Sequence, residues 1–363
     1  MPNVTTLTIM PAASLLASPS DSLPWDASVA SEPTYTMPIT LAAMAGVLAL
    51  TGLLWRSGRL RGTTLRAPWC WAVAAIILLA MVEIGTLASL SPGDDRGISL
   101  LQYAAAVATF CPIIALLGAK RPQDRGWQLI VSSLWATLMV PVFSSLYFAG
   151  GKLEVDTIWS WFLVILLVIG LVNTLPTRYW MAGMLATVAQ FLAIGEFLPL
   201  ISTWFESEHL GQLNTEGLRG PIVLGLLATA IASVHLSSLG RSQPTADNRS
   251  GDTGRLADLS RLWLDFRDDF GTIWGLRIAE RINTSATRYD WKVTLRWHGF
   301  EQWRHEQPTA TVTEGDNPAP DEPVDREVSG ETLRAIESSM RVLLRRFVSP
   351  EWIDERLDGP TTS

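Results

Sequence analysis

Seven stretches of this 363-residue chain are long and apolar enough, or nearly so, to cross a bilayer: roughly 38–55, 69–90, 98–118, 127–148, 157–174, 179–200 and 221–239. A helix rises about 1.5 Å per residue, so about 20 mostly apolar residues span the hydrocarbon core. Five of the seven contain no Asp, Glu, Lys or Arg; the second carries Glu83 and the sixth Glu196. No water reaches the backbone in that layer, and a helix satisfies its N–H and C=O groups within the segment. The expected fold class is an all-α polytopic membrane protein of about seven transmembrane helices with a small, mostly helical cytoplasmic C-terminal domain.

The charges are distributed accordingly. Beyond position 240 lie 17 of the 28 basic and 22 of the 35 acidic residues. What remains is too sparse to solvate an ordinary soluble surface. A net charge of −7 supplies no basic face for nucleic acid. Cys70 and Cys111 are the only cysteines, which excludes a disulfide framework and a four-cysteine metal site. Both sit in apolar stretches and read as inert thiols.

Basic residues between the spans set an expected orientation. Arg56, Arg59, Arg61 and Arg66 follow the first span, Lys120, Arg121 and Arg125 the third, Arg178 the fifth and Arg241 the seventh. The alternate connections hold only Arg96, Lys152 and Arg219. The N-terminus is therefore expected outside and the C-terminus inside, in the cytoplasmic (inner) membrane. Trp55, Trp69, Trp71, Trp127 and Trp180 fall at the inner boundaries, and Trp159, Trp161 and Trp204 at the outer ones. That is the aromatic belt of a membrane interface. Residues 1–37 lack the basic start of a signal peptide and read as a flexible external segment.

Within the spans, polarity is rare and therefore informative. Glu83 lies about two turns from the outer end of its span, where an ionisable group faces the bundle interior or water. With Glu196, Gln102 and Tyr103 on the same side, it forms a candidate outward-facing pocket for a ligand or ion. The alternative is a neutral, hydrogen-bonded structural carboxyl at Glu83 and a Glu196 that merely reaches the interface. Gln190 and Asn173 each suit one interhelical hydrogen bond. Pro112 and Pro141 should break spans three and four and free carbonyls near Ala108 and Thr137. Small residues four apart (Ala42 and Gly46, Ala45 and Ala49, Ala104 and Ala108, Ala228 and Ala232) read as packing faces.

After a linker at 240–254, residues 255–363 read as an α-rich tail with a disordered stretch at 306–327. Leu256, Leu259, Trp263, Phe266, Phe270 and Ile273 recur at helical spacing, an apolar stripe that needs a cover. The stripe could pack within the tail, on the membrane surface or against another chain; Trp263, Phe266, Phe270 and Ile273 are the candidate docking face for a partner protein. Residues 291–297 alternate as a half-buried strand. Leu333, Ile336, Met340, Leu343 and Phe347 mark a second amphipathic helix, and Ser349-Pro350 the start of a short last one.

Chemistry-bearing motifs are missing from the sequence. It contains no Walker A loop, HExxH, GxSxG or CxxC, and only four histidines. The last span has no lysine for a retinal Schiff base. No cofactor and no metal is expected. The stretches CPIIALLGAKRPQDRGW at 111–127 and FGTIWGLRIAERIN at 270–283 resemble uncharacterised bacterial multi-pass membrane proteins. That resemblance implies a cell-membrane location and no particular activity. The partners expected are the lipid bilayer and a protein bound through the tail. The leading expectation is a non-enzymatic subunit or scaffold of a membrane complex. A transporter or channel-like protein for a small cation or polar solute comes second, and a sensor acting through a separate output protein third.

Overall fold

In the computed structural model, residues 36–88, 95–121, 123–147, 153, 155–199, 217–239, 252–302 and 328–357 are described. The segments at 1–35 and 306–327, and most of the 240–254 linker, lie outside these residues. Seven helices are long and apolar enough to cross a membrane: Thr36–Leu60, Arg66–Ala88, Gly97–Leu117, Gly126–Tyr147, Thr157–Thr174, Trp180–Phe197 and Arg219–Ser238. Met44, Leu48, Leu129, Phe143, Ile158 and Ile165 point outward from them, an exterior suited to lipid tails and costly in water.

By chain order the helices of the bundle are α1 (Thr36–Arg56), α2 (Arg66–Ala88), α3 (Asp95–Ala108), α4 (Cys111–Leu117), α5 (Asp124–Leu138), α6 (Val140–Tyr147), α7 (Thr157–Thr174), α8 (Trp180–Ile194) and α9 (Arg219–Leu239). A single 3₁₀ turn, Gly195–Phe197, extends α8. α9 packs against both α1 and α8. Close approach follows from small residues. Ala42, Ala45, Gly46 and Ala49 are buried, and a Cβ on Gly46 would lie 3.2 Å from that of Ala80. Ala232 departs from expectation, because it faces outward and Ala230 takes the buried position.

The third span is α3 plus α4 and the fourth α5 plus α6, each interrupted where its proline removes a backbone donor. Neighbours repair both breaks. The Gln190 side-chain amide on α8 donates to the Thr109 carbonyl at 2.9 Å, and the Tyr103 hydroxyl donates to Leu138 at 3.2 Å. One carbonyl at each bend is thereby bonded inside the protein, in each case the residue after the Ala108 or Thr137 to which the proline spacing points.

The C-terminal region begins with α10 (Asp252–Tyr289), then a hairpin of β1 (Val293–Arg296) and β2 (Gly299–Gln302), then α11 (Gly330–Leu344) and α12 (Pro350–Leu357). The strands pair antiparallel with Thr294 opposite Glu301. Asn283 on α10 holds the hairpin, accepting from Leu295 N–H at 2.7 Å and donating to its carbonyl at 2.9 Å. The stripe on α10 meets Val293 and Leu295 of β1, Ile336, Met340 and Leu344 of α11, and Trp352 and Ile353 of α12. Phe347 presents its edge to Phe266, Phe270 and Trp274 at 4.8–5.4 Å between ring centres.

This core is completed by the bundle. Leu65 and Ala119, from the connections after α1 and α4, are buried within it, with Leu60 and Leu116 packed alongside. Thr63 pairs with Val348 in an antiparallel bridge. Flanking it, Thr64 N–H donates to Phe347 at 2.9 Å and Ser349 N–H to Gly62 at 2.6 Å. Trp274 donates its indole N–H to Leu116, and Trp297 donates to Pro176. From Tyr35 onward the chain is one compact unit.

The stripe proposed as a docking face is accordingly occupied. Trp263, Phe266 and Phe270 are fully buried within the chain's own core, and only Ile273 is exposed. The reason is local: α10 breaks at Gly271, and beyond it the buried positions are Trp274, Ile278, Ile282 and Ala286, which leaves Ile273 outside the core.

Candidate functional site

Two charged clusters stand out, one at each end of the bundle. At the end remote from the C-terminal region, α2, the turn after α8 and the first turn of α9 meet. Glu196 forms an ion pair with Arg219. Arg219 also donates from Nε to the Leu192 carbonyl at 2.9 Å and from a terminal nitrogen to Ala193 at 2.8 Å. These are the last carbonyls of α8, where a cation suits the helix dipole. Glu83 lies in the field of both Arg219 and Glu196. Its carboxylate sits directly against Gly220, in space that a Cβ on that residue would fill. A carboxyl beside the first turn of α9 faces the positive end of that helix.

Of the four residues in the sequence-derived pocket, Glu83 and Glu196 are thus brought together, with Arg219 joining them. Tyr103 is fully buried, with its ring edge-on to Phe197 at 5.3 Å and its hydroxyl spent on Leu138. It supports the wall beside Glu196. Gln102 is half-buried, and among the described residues it has no hydrogen bond to either glutamate. Arg219 entered the sequence reading only as a loop charge. The signal that could have found it is its place immediately before Gly220-Pro221, at the level of Glu83 and Glu196 in an antiparallel bundle.

The second cluster lies where α10 meets the bundle. Tyr179 accepts hydrogen bonds from Arg56 at 2.9 Å and Arg178 at 2.5 Å. Arg178 approaches Asp265 at 3.8 Å and Asp268 at 3.4 Å. Asp268 is held by Arg267 at 2.6 Å, and Arg356 reaches Asp265 at 3.2 Å. Helical spacing on α10 turns Asp265, Asp268 and Asp269 toward one side, but nothing in the sequence shows that Arg178 of the bundle would meet them there.

Burial pushes the Asp269 carboxyl above its usual range, with repulsion from Asp265 adding to it and Arg56, Arg178 and Arg356 opposing. A carboxyl raised in this way binds its proton more tightly folded than unfolded. Its ionised form is therefore a standing cost at neutral pH, and stability recovers as pH falls from the raised folded value toward the ordinary one. Asp269→Asn is expected to raise the melting temperature at pH 7, with the gain shrinking as the buffer is acidified through that window. Thermal unfolding of both proteins across a pH series checks it. A lower melting temperature at pH 7 would mean that the arginines depend on this charge.

Beside the second cluster, Asn173 at the end of α7 inserts into the break of α10. Its side-chain oxygen accepts from Ile273 N–H at 3.1 Å, and its backbone carbonyl accepts from the Thr272 hydroxyl at 3.0 Å. Comparison of this chain with known protein families, with curated proteins and with solved structures finds no match.

Proposed function

We propose that this chain is a non-enzymatic scaffold subunit of a membrane complex, with its N-terminus outside and its C-terminal region held as a fixed platform on the cytoplasmic face. The observation that carries this reading is the shared core: loops of the bundle supply Leu65 and Ala119 to the C-terminal region, and Thr63 bridges to Val348. A region anchored in this way offers its remaining surface at a set height and angle to the bilayer. The surface left to a partner includes Ile273 and Leu276, exposed apolar side chains just beyond the break in α10. The basic connections between spans support the orientation.

The test is purification from native membranes, followed by rebinding of the isolated components. A stoichiometric partner that rebinds wild type and is lost with Leu276→Asp supports the scaffold. Wild type that leaves the membrane with no stoichiometric partner overturns it.

A second reading, a site for a small cation or polar solute, is favoured by one observation. The Glu83 carboxyl is lodged among Arg219, Glu196 and the start of α9. Among the described residues the cluster holds two carboxyl groups and one guanidinium, and intramembrane carboxyls mark ion and proton routes. On this reading Glu83→Gln abolishes uptake or binding of a cation in proteoliposomes and leaves folding intact. Unchanged transport across a panel of cations would remove it.

A further inference from the structure

We propose that the junction between bundle and C-terminal region is a binding surface for anionic phospholipid headgroups, assembled from both parts of the chain. Residues 56–66 and 341–348 contain seven arginines and no acidic residue. The bridge between Thr63 and Val348 lays these two segments side by side. Arg121 joins them: its N–H donates to the Arg346 carbonyl at 2.7 Å, and its guanidinium reaches the Gly62 carbonyl at 3.4 Å. Arg59, Arg61, Arg66, Arg121, Arg345 and Arg346 are all exposed there.

The rest of the arginines in these segments are otherwise engaged, Arg56 on Tyr179 and Arg341 on Glu337 and Asp354. Among the described residues, no acidic side chain pairs with Arg59, Arg61, Arg66, Arg345 or Arg346. Glu351 is the acidic group in the field of Arg121.

Position selects the occupant. Arg59 lies one turn beyond α1, and Arg66 opens α2, so both sit where a span leaves the hydrocarbon layer. Trp55 is 82% exposed and Trp180 50%, side chains that seat at headgroup level. Headgroup phosphates therefore lie at the same depth as the guanidiniums. An arginine close to an anionic bilayer surface favours binding by about fivefold, and clusters act together. Arginine also suits phosphate oxygens, which it can bind in pairs. The C-terminal region is thereby held by lipid as well as by its protein contacts.

The test places full-length protein in nanodiscs of phosphatidylcholine with phosphatidylglycerol, extracts it gently and counts retained lipids by native mass spectrometry. Both leaflets carry the same mixture, so the outcome does not depend on orientation or on the scaffold reading. Wild type is expected to retain phosphatidylglycerol selectively, and less so in high salt. Arg345→Gln with Arg346→Gln should reduce that enrichment by about tenfold or more. Arg59→Gln with Arg61→Gln should do the same and guards against a folding defect in the first pair. Arg281→Gln with Arg334→Gln, exposed arginines elsewhere on the C-terminal region, should leave it unchanged. Equal loss in that control, or no loss in either junction pair, overturns the proposal. Displacement of the lipid by inorganic phosphate alone would overturn it too, since the site would then read a free anion.

Discussion

Gly271→Ala is expected to lower stability by about 3–5 kcal/mol and to loosen the C-terminal region from the bundle. The residue has φ 81° and ψ −178°, a backbone conformation in effect reserved for glycine. Its missing side chain is equally necessary, because a Cβ there would collide with the Asn173 side chain. Strain and collision thus act at one point, the point where α7 grips α10. Asn173→Ala separates the two. It removes the collision partner and leaves Ile273 N–H without its acceptor, a loss of about 1–3 kcal/mol. In that background Gly271→Ala should cost only the backbone strain, so the two changes should be strongly non-additive. Thermal unfolding gives the energies, and hydrogen exchange at Thr64, whose N–H bonds Phe347, reports whether the junction opens. A Gly271→Ala protein with unchanged melting and unchanged exchange at Thr64 would show that the grip does not hold the two parts together.

That grip also shows where sequence reasoning stops. The seven spans were legible because each lies within one run of residues and hydrophobicity acts locally. Pro112 and Pro141 were legible as breaks for the same reason. The stripe on α10 was legible as an apolar face, but its cover was not. The cover comes from Leu65, Ala119 and Phe347, distant in sequence, and no local spacing encodes which of bundle, lipid or partner will fill a face. Gly271 sits in a segment with good helical periodicity on both sides, and the break becomes visible only beside Asn173. The strand β2 escaped because four residues with one buried position carry too little pattern. In the charged cluster, depth along the spans put Glu83 and Glu196 on the same side of the bundle, but whether they converge was not legible, because it depends on how the helices pack. Arg219 was hidden by its position at a span boundary, where a basic residue ordinarily means only a loop.

Arg219→Gln is the substitution expected to disturb that cluster most, by about 3–5 kcal/mol, because it removes the guanidinium that offsets the desolvation of its ion-pair partner. Its guanidinium is 15% exposed and answers Glu196, Glu83 and two α8 carbonyls together. Glu196→Gln alone should cost less, since Arg219 keeps Glu83 and both carbonyls. Combining the two should restore part of what Arg219→Gln loses, for the carboxylate that Arg219 pairs with is then gone as well. This coupling separates two accounts of Glu83 that share the same geometry. If the carboxylate is there to anchor Arg219, Glu83→Gln will destabilise wild type and have little effect once Arg219 is gone. If it is held for an outside ion, Glu83→Gln will leave wild-type melting unchanged or raise it, because a charge kept for binding is a cost to the empty fold. Unfolding measurements on the three single and two double variants in one lipid decide between them. Equal, additive losses at all three positions would mean that the residues do not act as a cluster.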